Sequence, residues 1–185
     1  MKRSGNINDA LNALNENKLC ILPTDTILGL FSSTKSFAVH KIFDAKKRDY
    51  SKPLAIFVPS TEEIARYGIE TEDSRKFANE NLPGAYTILL HATDYAKNLL
   101  CPQLISSDGK IGIRIPNQKQ ILEITKSVII CGTSVNISGQ EFATSEIPNE
   151  IESRVEFFLE TNQHLSQTPS TIIDFTQEGK IIRSV

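Results

Sequence analysis

Tryptophan is absent from this 185-residue chain, methionine occurs once, and cysteine and histidine occur three times each. The cysteines Cys20, Cys101 and Cys131 are odd in number, far apart and without a C-x-x-C pair. That excludes a disulfide framework or zinc knuckle and leaves three core thiols. His40, His91 and His164 are equally dispersed, so no histidine-based metal centre or triad is expected and no metal ligands are assigned. No apolar run approaches the roughly 20 residues of a bilayer span, and the opening MKRSGNINDALN lacks the apolar stretch of a secretory signal. A soluble, cytoplasmic protein without a membrane partner is the expectation. Charge of one sign is also lacking: 20 Lys and Arg stand against 22 Asp and Glu, net −2. Long-range attraction to nucleic acid is therefore not written into the overall balance, and any anion site must be local. The phosphate loop G-x-x-x-x-G-K-[ST], the G-x-G-x-x-G fingerprint, kinase H-R-D and D-F-G elements and the G-x-S-x-G elbow are all missing. Covalent catalysis is not expected, and a nucleotide would have to be held in some other way.

What is present is an alternation of helical and strand patterns. Ile7, Leu11 and Leu14 recur at helical spacing in residues 6–17, and KLCILPT then reads as a buried strand ending at Pro23. Phe37, Val39, Ile42 and Phe43 predict a second amphipathic helix over 35–48, and PLAIFV a strand after it. Ser60 with Glu63 has the spacing of a capping box, predicting a helix through about Tyr67, and further helices are predicted over 72–80 and 118–126. AYTILLHA, KIGIRIP, SVIICGTS, RVEFFLE, STIIDF and KIIRSV supply strands rich in β-branched residues, and TNQHLSQTP reads as a loop. Some late strands are joined too tightly for parallel crossovers. The expectation is a single α/β domain over residues 1–185, with a mixed sheet flanked by helices.

Chemistry is concentrated at strand ends. KKRDYSK places Lys46, Lys47, Arg48 and Lys52 within seven residues, suited either to a helix C-terminus or to an anion site. Thr24, Asp25 and Thr26 follow a strand, where a capped turn and a ligand loop are both consistent. CGTSVNISG offers Thr133, Ser134, Asn136 and Ser138, a run of donors able to hold phosphate or ribose oxygens. Arg114 and Arg183 interrupt apolar strand patterns, as either edge charges or anchors. Together these segments outline a cationic, hydroxyl-lined pocket.

As a set, ILPTDTILGL, KKRDYSKPL, LPGAYTILL, IGIRIP, GTSVNISG, PSTIIDF and IIR resemble the YrdC/Sua5 (TsaC-like) family of threonylcarbamoyl-AMP synthases, in its short single-domain form. The resemblance implies a twisted YrdC-like sheet with a concave cationic face. It also implies a nucleotidyltransferase reaction in which L-threonine, bicarbonate and ATP give L-threonylcarbamoyladenylate and pyrophosphate. This is the first step towards N6-threonylcarbamoyladenosine (t6A) at position 37 of tRNA. It assigns Lys46, Arg48 and Lys52 as catalytic residues. Arg48, Lys52, Ser134, Asn136 and Arg183 would bind ATP, and Thr26, Arg114, Gly132 and Ser170 would bind threonine. Mg²⁺ would arrive with ATP, held by phosphate oxygens and water, since no carboxylate cage is evident. The labile product would be handed to a t6A transferase complex, and contact with tRNA or other RNA is a further expectation. Leu28, where the family usually has Tyr, and Phe57, where many members have His, depart from the pattern. A non-catalytic or divergent RNA-binding module of the same fold, and the same pocket acting on another carboxylated or carbamoylated substrate, are the competing expectations.

Overall fold

The computed structural model describes residues 1–139 and 147–184. In chain order, β1 (Lys2–Ser4) and α1 (Ile7–Asn15) lead into the hairpin of β2 (Cys20–Pro23) and β3 (Leu28–Ser33). Then come α2 (Ser36–Lys46), β4 (Ala55–Phe57), α3 (Ile64–Tyr67), β5 (Gly68–Ile69) and α4 (Glu72–Asn81). The middle holds β6 (Tyr86–Ala92), α5 (Asp94–Leu99), β7 (Lys110–Arg114), α6 (Lys119–Ser127) and β8 (Ile130–Ser134). The end holds α7 (Asn149–Glu152), β9 (Phe157–Leu159), β10 (Thr171–Asp174) and β11 (Lys180–Arg183).

All the strands join one mixed sheet in the order β1-β9-β2-β3-β8-β4-β7-β6-β10-β11, with β5 pairing to β6. Alternation along the strands separates two cores, as the period of two requires. Ile21, Leu30, Ile56, Ile88, Ile113 and Cys131 point to one face, where they pack with Val39, Ile42 and Phe43 of α2. Their neighbours Cys20, Leu22, Phe31, Phe57 and Ile130 point to the other, against Ala10, Ala13 and Leu14 of α1 and Ile121 and Ile124 of α6. Helices α1 and α6 pack on each other, and α1 lies over β9, β2 and β3. Beyond Phe57 this second face changes character: β7 and β6 present Gly112, Arg114 and Thr87 in place of the core residues. That half of the face carries the site.

The predicted helices over 6–17, 35–48, 72–80 and 118–126 are observed with ends shifted by a few residues. The capping box at Ser60 does not form; a 3₁₀ turn over Thr61–Glu63 precedes a single helical turn. The chain from Gly68 is recruited as β5 against β6, which leaves no length for a longer helix. A reciprocal capping box forms instead at Thr71 and Ser74: Ser74 N donates to Thr71 Oγ1 at 3.1 Å and Thr71 N to Ser74 Oγ at 2.8 Å. Strands β1, β3 and β5 and helices α5 and α7 were not anticipated.

Candidate active site

Five strands each contribute one residue to a single row across the sheet. Phe57 pairs with Arg114, Arg114 with Thr87, Thr87 with Ile172 and Ile172 with Arg183. Residues in register on neighbouring strands stand on the same face, and all five line one cavity of about 180 Å³. A second row forms its floor, where Phe31 pairs with Gly132 and Gly132 with Ala55. A Cβ at Gly29 or Gly132 would fall on the Phe31 ring, so the missing side chains let that ring lie over the strands.

Three guanidinium groups converge here. Arg114 is almost wholly buried; its Nη2 donates to Asp25 Oδ1 and to Thr26 Oγ1, both at 2.6 Å. Its buried Nε has no hydrogen-bond partner among the described residues. Arg183 donates through Nε and Nη2 to the carbonyl of Ser170 at 3.0 and 2.6 Å. Ser170 shares a further 2.9 Å hydrogen bond with Thr87, hydroxyl to hydroxyl. Arg48 donates from Nε to the carbonyl of Lys52 at 2.8 Å and from Nη2 to that of Pro53 at 3.1 Å. Burial lowers the pKa of all three guanidiniums. For Arg114 the charge of Arg183 adds to the lowering, while Asp25 opposes it.

Arg48 lines the cavity, whereas its three companions in the basic stretch have other surroundings. The Lys46 ammonium is buried and turned onto the serine-asparagine turn, donating to the carbonyls of Ser134 and Asn136 and, at 3.0 Å, to Asn136 Oδ1. Ser134 Oγ donates to the same Oδ1, so Lys46 and Ser134 together fix the Asn136 amide. Burial, with repulsion from Arg48, pushes the Lys46 pKa down from 10.5 to about 7. Lys52 is exposed, and the contribution it makes to the site is its backbone carbonyl. Left-handed Lys47 (φ 50°) ends α2 and turns the chain so that Arg48 faces the sheet.

Residues 160–170 run from β9, near one edge of the sheet, to β10, near the other. This strap is pinned at the Asp25–Thr26 turn, where Ser166 N donates to Asp25 O at 3.3 Å and Gln167 N to Thr26 O at 2.8 Å. It delivers Pro169 and Ser170 to the cavity wall.

Of the residues expected to bind ligand, Arg48, Arg114, Gly132, Ser134, Ser170 and Arg183 line the cavity. Thr26 sits one layer behind, bonded to Arg114 and, at 2.8 Å, to Thr24. Asn136 is held behind Ser134 by Lys46. The departure at Phe57 lies in the wall itself: its ring meets Phe31 edge-on at 4.8 Å, with the Arg114 guanidinium 5.7 Å above it. Leu28 packs against the apolar core of the opposite face. Sequence reasoning left Asp25 undecided between a capped turn and a ligand loop, and it missed Thr87 within AYTILL. The local signal for Thr87 was weak, since it alternates with half-buried Leu89 and exposed His91 while the buried aliphatics Ile88 and Leu90 point to the opposite face. Among the described residues no group of three His, Cys, Asp or Glu could hold a metal ion, and no helix is long and apolar enough to cross a membrane.

The Sua5/YciO/YrdC family model, described as "Telomere recombination", matches residues 12–184. A Methanocaldococcus jannaschii protein provisionally named threonylcarbamoyl-AMP synthase is 34% identical over 168 residues, 89% of this chain and 77% of its own. The structure of Pyrococcus abyssi Sua5 complexed with L-threonine superposes with a TM-score of 0.83 at 26% identity, over 92% of this chain. This chain spans 51% of that protein, about half its length. E. coli YciO, at 22% identity, shares the fold with a TM-score of 0.82 over 98% of this chain and 92% of its own.

Proposed function

Because the chain belongs to the Sua5/YciO/YrdC family, we propose that it is an L-threonylcarbamoyladenylate synthase acting in t6A biosynthesis. In this reaction L-threonine, bicarbonate and ATP give threonylcarbamoyl-AMP and pyrophosphate. The observation that carries the reading is the convergence of Arg48, Arg114 and Arg183 with the hydroxyls of Ser134, Ser170 and Thr87 in one cavity. The chemistry brings two anions together. The threonine amine adds to the carbon of bicarbonate with loss of water, and a carbamate oxygen then attacks the α-phosphorus of ATP. The bond from that phosphorus to the bridging oxygen breaks, and pyrophosphate carries the electron pair away. Like charges approach this closely only where fixed cations and donors neutralise them.

Arg48 and Arg183, held by carbonyl oxygens, would receive phosphate oxygens, together with Ser134 of the same lining. Arg114 would take the threonine carboxylate. The family's threonine-bound Sua5 supports an amino-acid site in this fold. Mg²⁺ would accompany the triphosphate, bound through phosphate oxygens and water, because the described residues of the cavity offer hydroxyl and guanidinium groups and no set of carboxylates. When bound, it would offset charge on the departing pyrophosphate. Among the described residues the wall offers no general base, and rate enhancement would rest on positioning and electrostatics. The labile adenylate would then pass to a t6A transferase.

The test is pyrophosphate release that requires both ATP and threonine, with mass spectrometry of a reaction in labelled bicarbonate to find the carbamoylated adenylate. Release without threonine, or a product lacking the label, would sink the reading. RNA binding without any pyrophosphate release would move the assignment to a binding module.

A further inference from the structure

The three guanidiniums of the cavity differ in how their charge is answered. Arg48 and Arg183 are held by neutral oxygens, the carbonyls of Lys52, Pro53 and Ser170. Arg114 alone has a carboxylate, Asp25 Oδ1 at 2.6 Å, and neither of the others has an ion-pair partner among the described residues. The Asp25–Arg114 pair is mostly buried, with side chains 12% and 8% exposed, so solvent screens it little. Arg114 and Arg183 stand in the same transverse row with two strands between them. At a strand spacing of ~4.8 Å their backbones are roughly 14 Å apart.

We propose that Asp25 is a specificity-determining residue. By neutralising Arg114 it divides the cavity wall into a net cationic part, Arg48 and Arg183, and a net neutral part, Arg114. Phosphate seats against the first, and a zwitterionic amino acid, which carries no net charge, seats against the second. The inference rests on the synthase reading for the identity of the two ligands, while the charge partition stands on the ion pairs alone. Without Asp25, Arg114 would be a third naked cation, and a phosphate chain or released pyrophosphate would compete for the amino-acid place. Thr26 supports the same arrangement by accepting from the same Nη2.

The experiment is calorimetric titration of wild type and Asp25→Asn with pyrophosphate and with L-threonine, each alone and in the presence of the other. In wild type, pyrophosphate is expected to compete with ATP and leave threonine affinity unchanged. In Asp25→Asn, threonine affinity in the presence of pyrophosphate should fall about tenfold, because phosphate then competes for the uncompensated Arg114. Pyrophosphate should now displace threonine, while ATP affinity stays within about twofold. Asp25→Glu, which keeps the charge, should retain the wild-type pattern. Pyrophosphate competing with threonine already in wild type, or threonine binding in the presence of pyrophosphate unchanged in Asp25→Asn, would overturn the proposal. Should Asp25→Asn fail to fold by circular dichroism, Asp25→Asn/Arg114→Gln removes both charges. That variant is expected to lose threonine and gain no pyrophosphate competition, and a gain would count against the partition. Wild-type protein releasing no pyrophosphate from ATP and threonine would sink the synthase reading alone, because the pyrophosphate titrations still decide whether Asp25 partitions the charge.

Discussion

Lys46 shows how far a side chain's role departs from its charge. In the sequence it belongs to a cationic cluster, yet its ammonium is spent on three oxygens of the Ser134–Asn136 turn. Lys46→Met would remove the charged donor those three oxygens share, at a cost of about 1–3 kcal/mol by denaturant unfolding. It should also raise the KM for ATP more than that for threonine, since Ser134 is the cavity residue the turn presents. The pH dependence has a definite sign. With a folded pKa of about 7 against the ordinary 10.5, the unfolded chain holds a proton that the folded chain has released at every pH between those values. Stability should therefore rise with pH across that window in wild type, the burial cost of the charged form being full below it, and the rise should be absent in Lys46→Met. Denaturation midpoints measured from about pH 6 to pH 10 decide this; equal slopes in the two proteins would contradict it. Arg48, by contrast, faces the cavity, and Arg48→Ala should lower pyrophosphate release by ~10²–10³ with the fold intact. The positions of all these residues were legible from the motifs. Which cations face the ligand was not, because a tetrad of basic residues carries no record of which way the chain turns after Lys47.

At the level of elements, the sequence disclosed helices with periodic apolar faces and strands with aliphatic runs, since both signals are local. It was silent where partners decide the outcome. Residues 68–69 form a strand only because β6 offers an edge, and the three residues of β1 are held by β9. The row Phe57, Arg114, Thr87, Ile172 and Arg183 joins positions up to 126 apart in the chain, and nothing in the local spacing announces it. The glycines of β3 and β8 are a partial exception, since glycine in a strand marks a close approach. Here the approach is by Phe31. Gly132→Ala should press a methyl group into that ring, a contact that costs typically 1–3 kcal/mol in a packed core. The melting temperature would fall by roughly 2–4 °C for each of those kcal/mol in a chain of this size. The double variant with Phe31→Leu, which vacates the space, should recover part of the loss. No recovery would mean that the strain lies elsewhere.

On the scale of the whole molecule, the sheet is covered on one face by α2 and its neighbours and on the other by α1 over β9, β2 and β3, leaving the rest of that second face to the cavity. The arrangement places cations, Arg114 buried among them, where a uniformly covered sheet would bury aliphatics, so the unliganded protein bears the repulsion of Arg183 on Arg114 and the partial desolvation of both. Ligands that supply negative charge should relieve it. A ligand present at a hundred times its dissociation constant stabilises by about 2.7 kcal/mol, which for a chain of this size is a rise in melting temperature of roughly 5–10 °C. ATP with Mg²⁺, or pyrophosphate, is expected to produce such a rise in thermal-shift measurements. Added sodium chloride should diminish it, because screening weakens the attraction of the phosphates to Arg48 and Arg183. Threonine should also stabilise, with much less dependence on salt, since its partner is a pair already neutralised by Asp25. Equal salt sensitivity for both ligands would show that the two parts of the cavity wall share one electrostatic character, and a rise with neither ligand would remove the cavity as the binding site altogether.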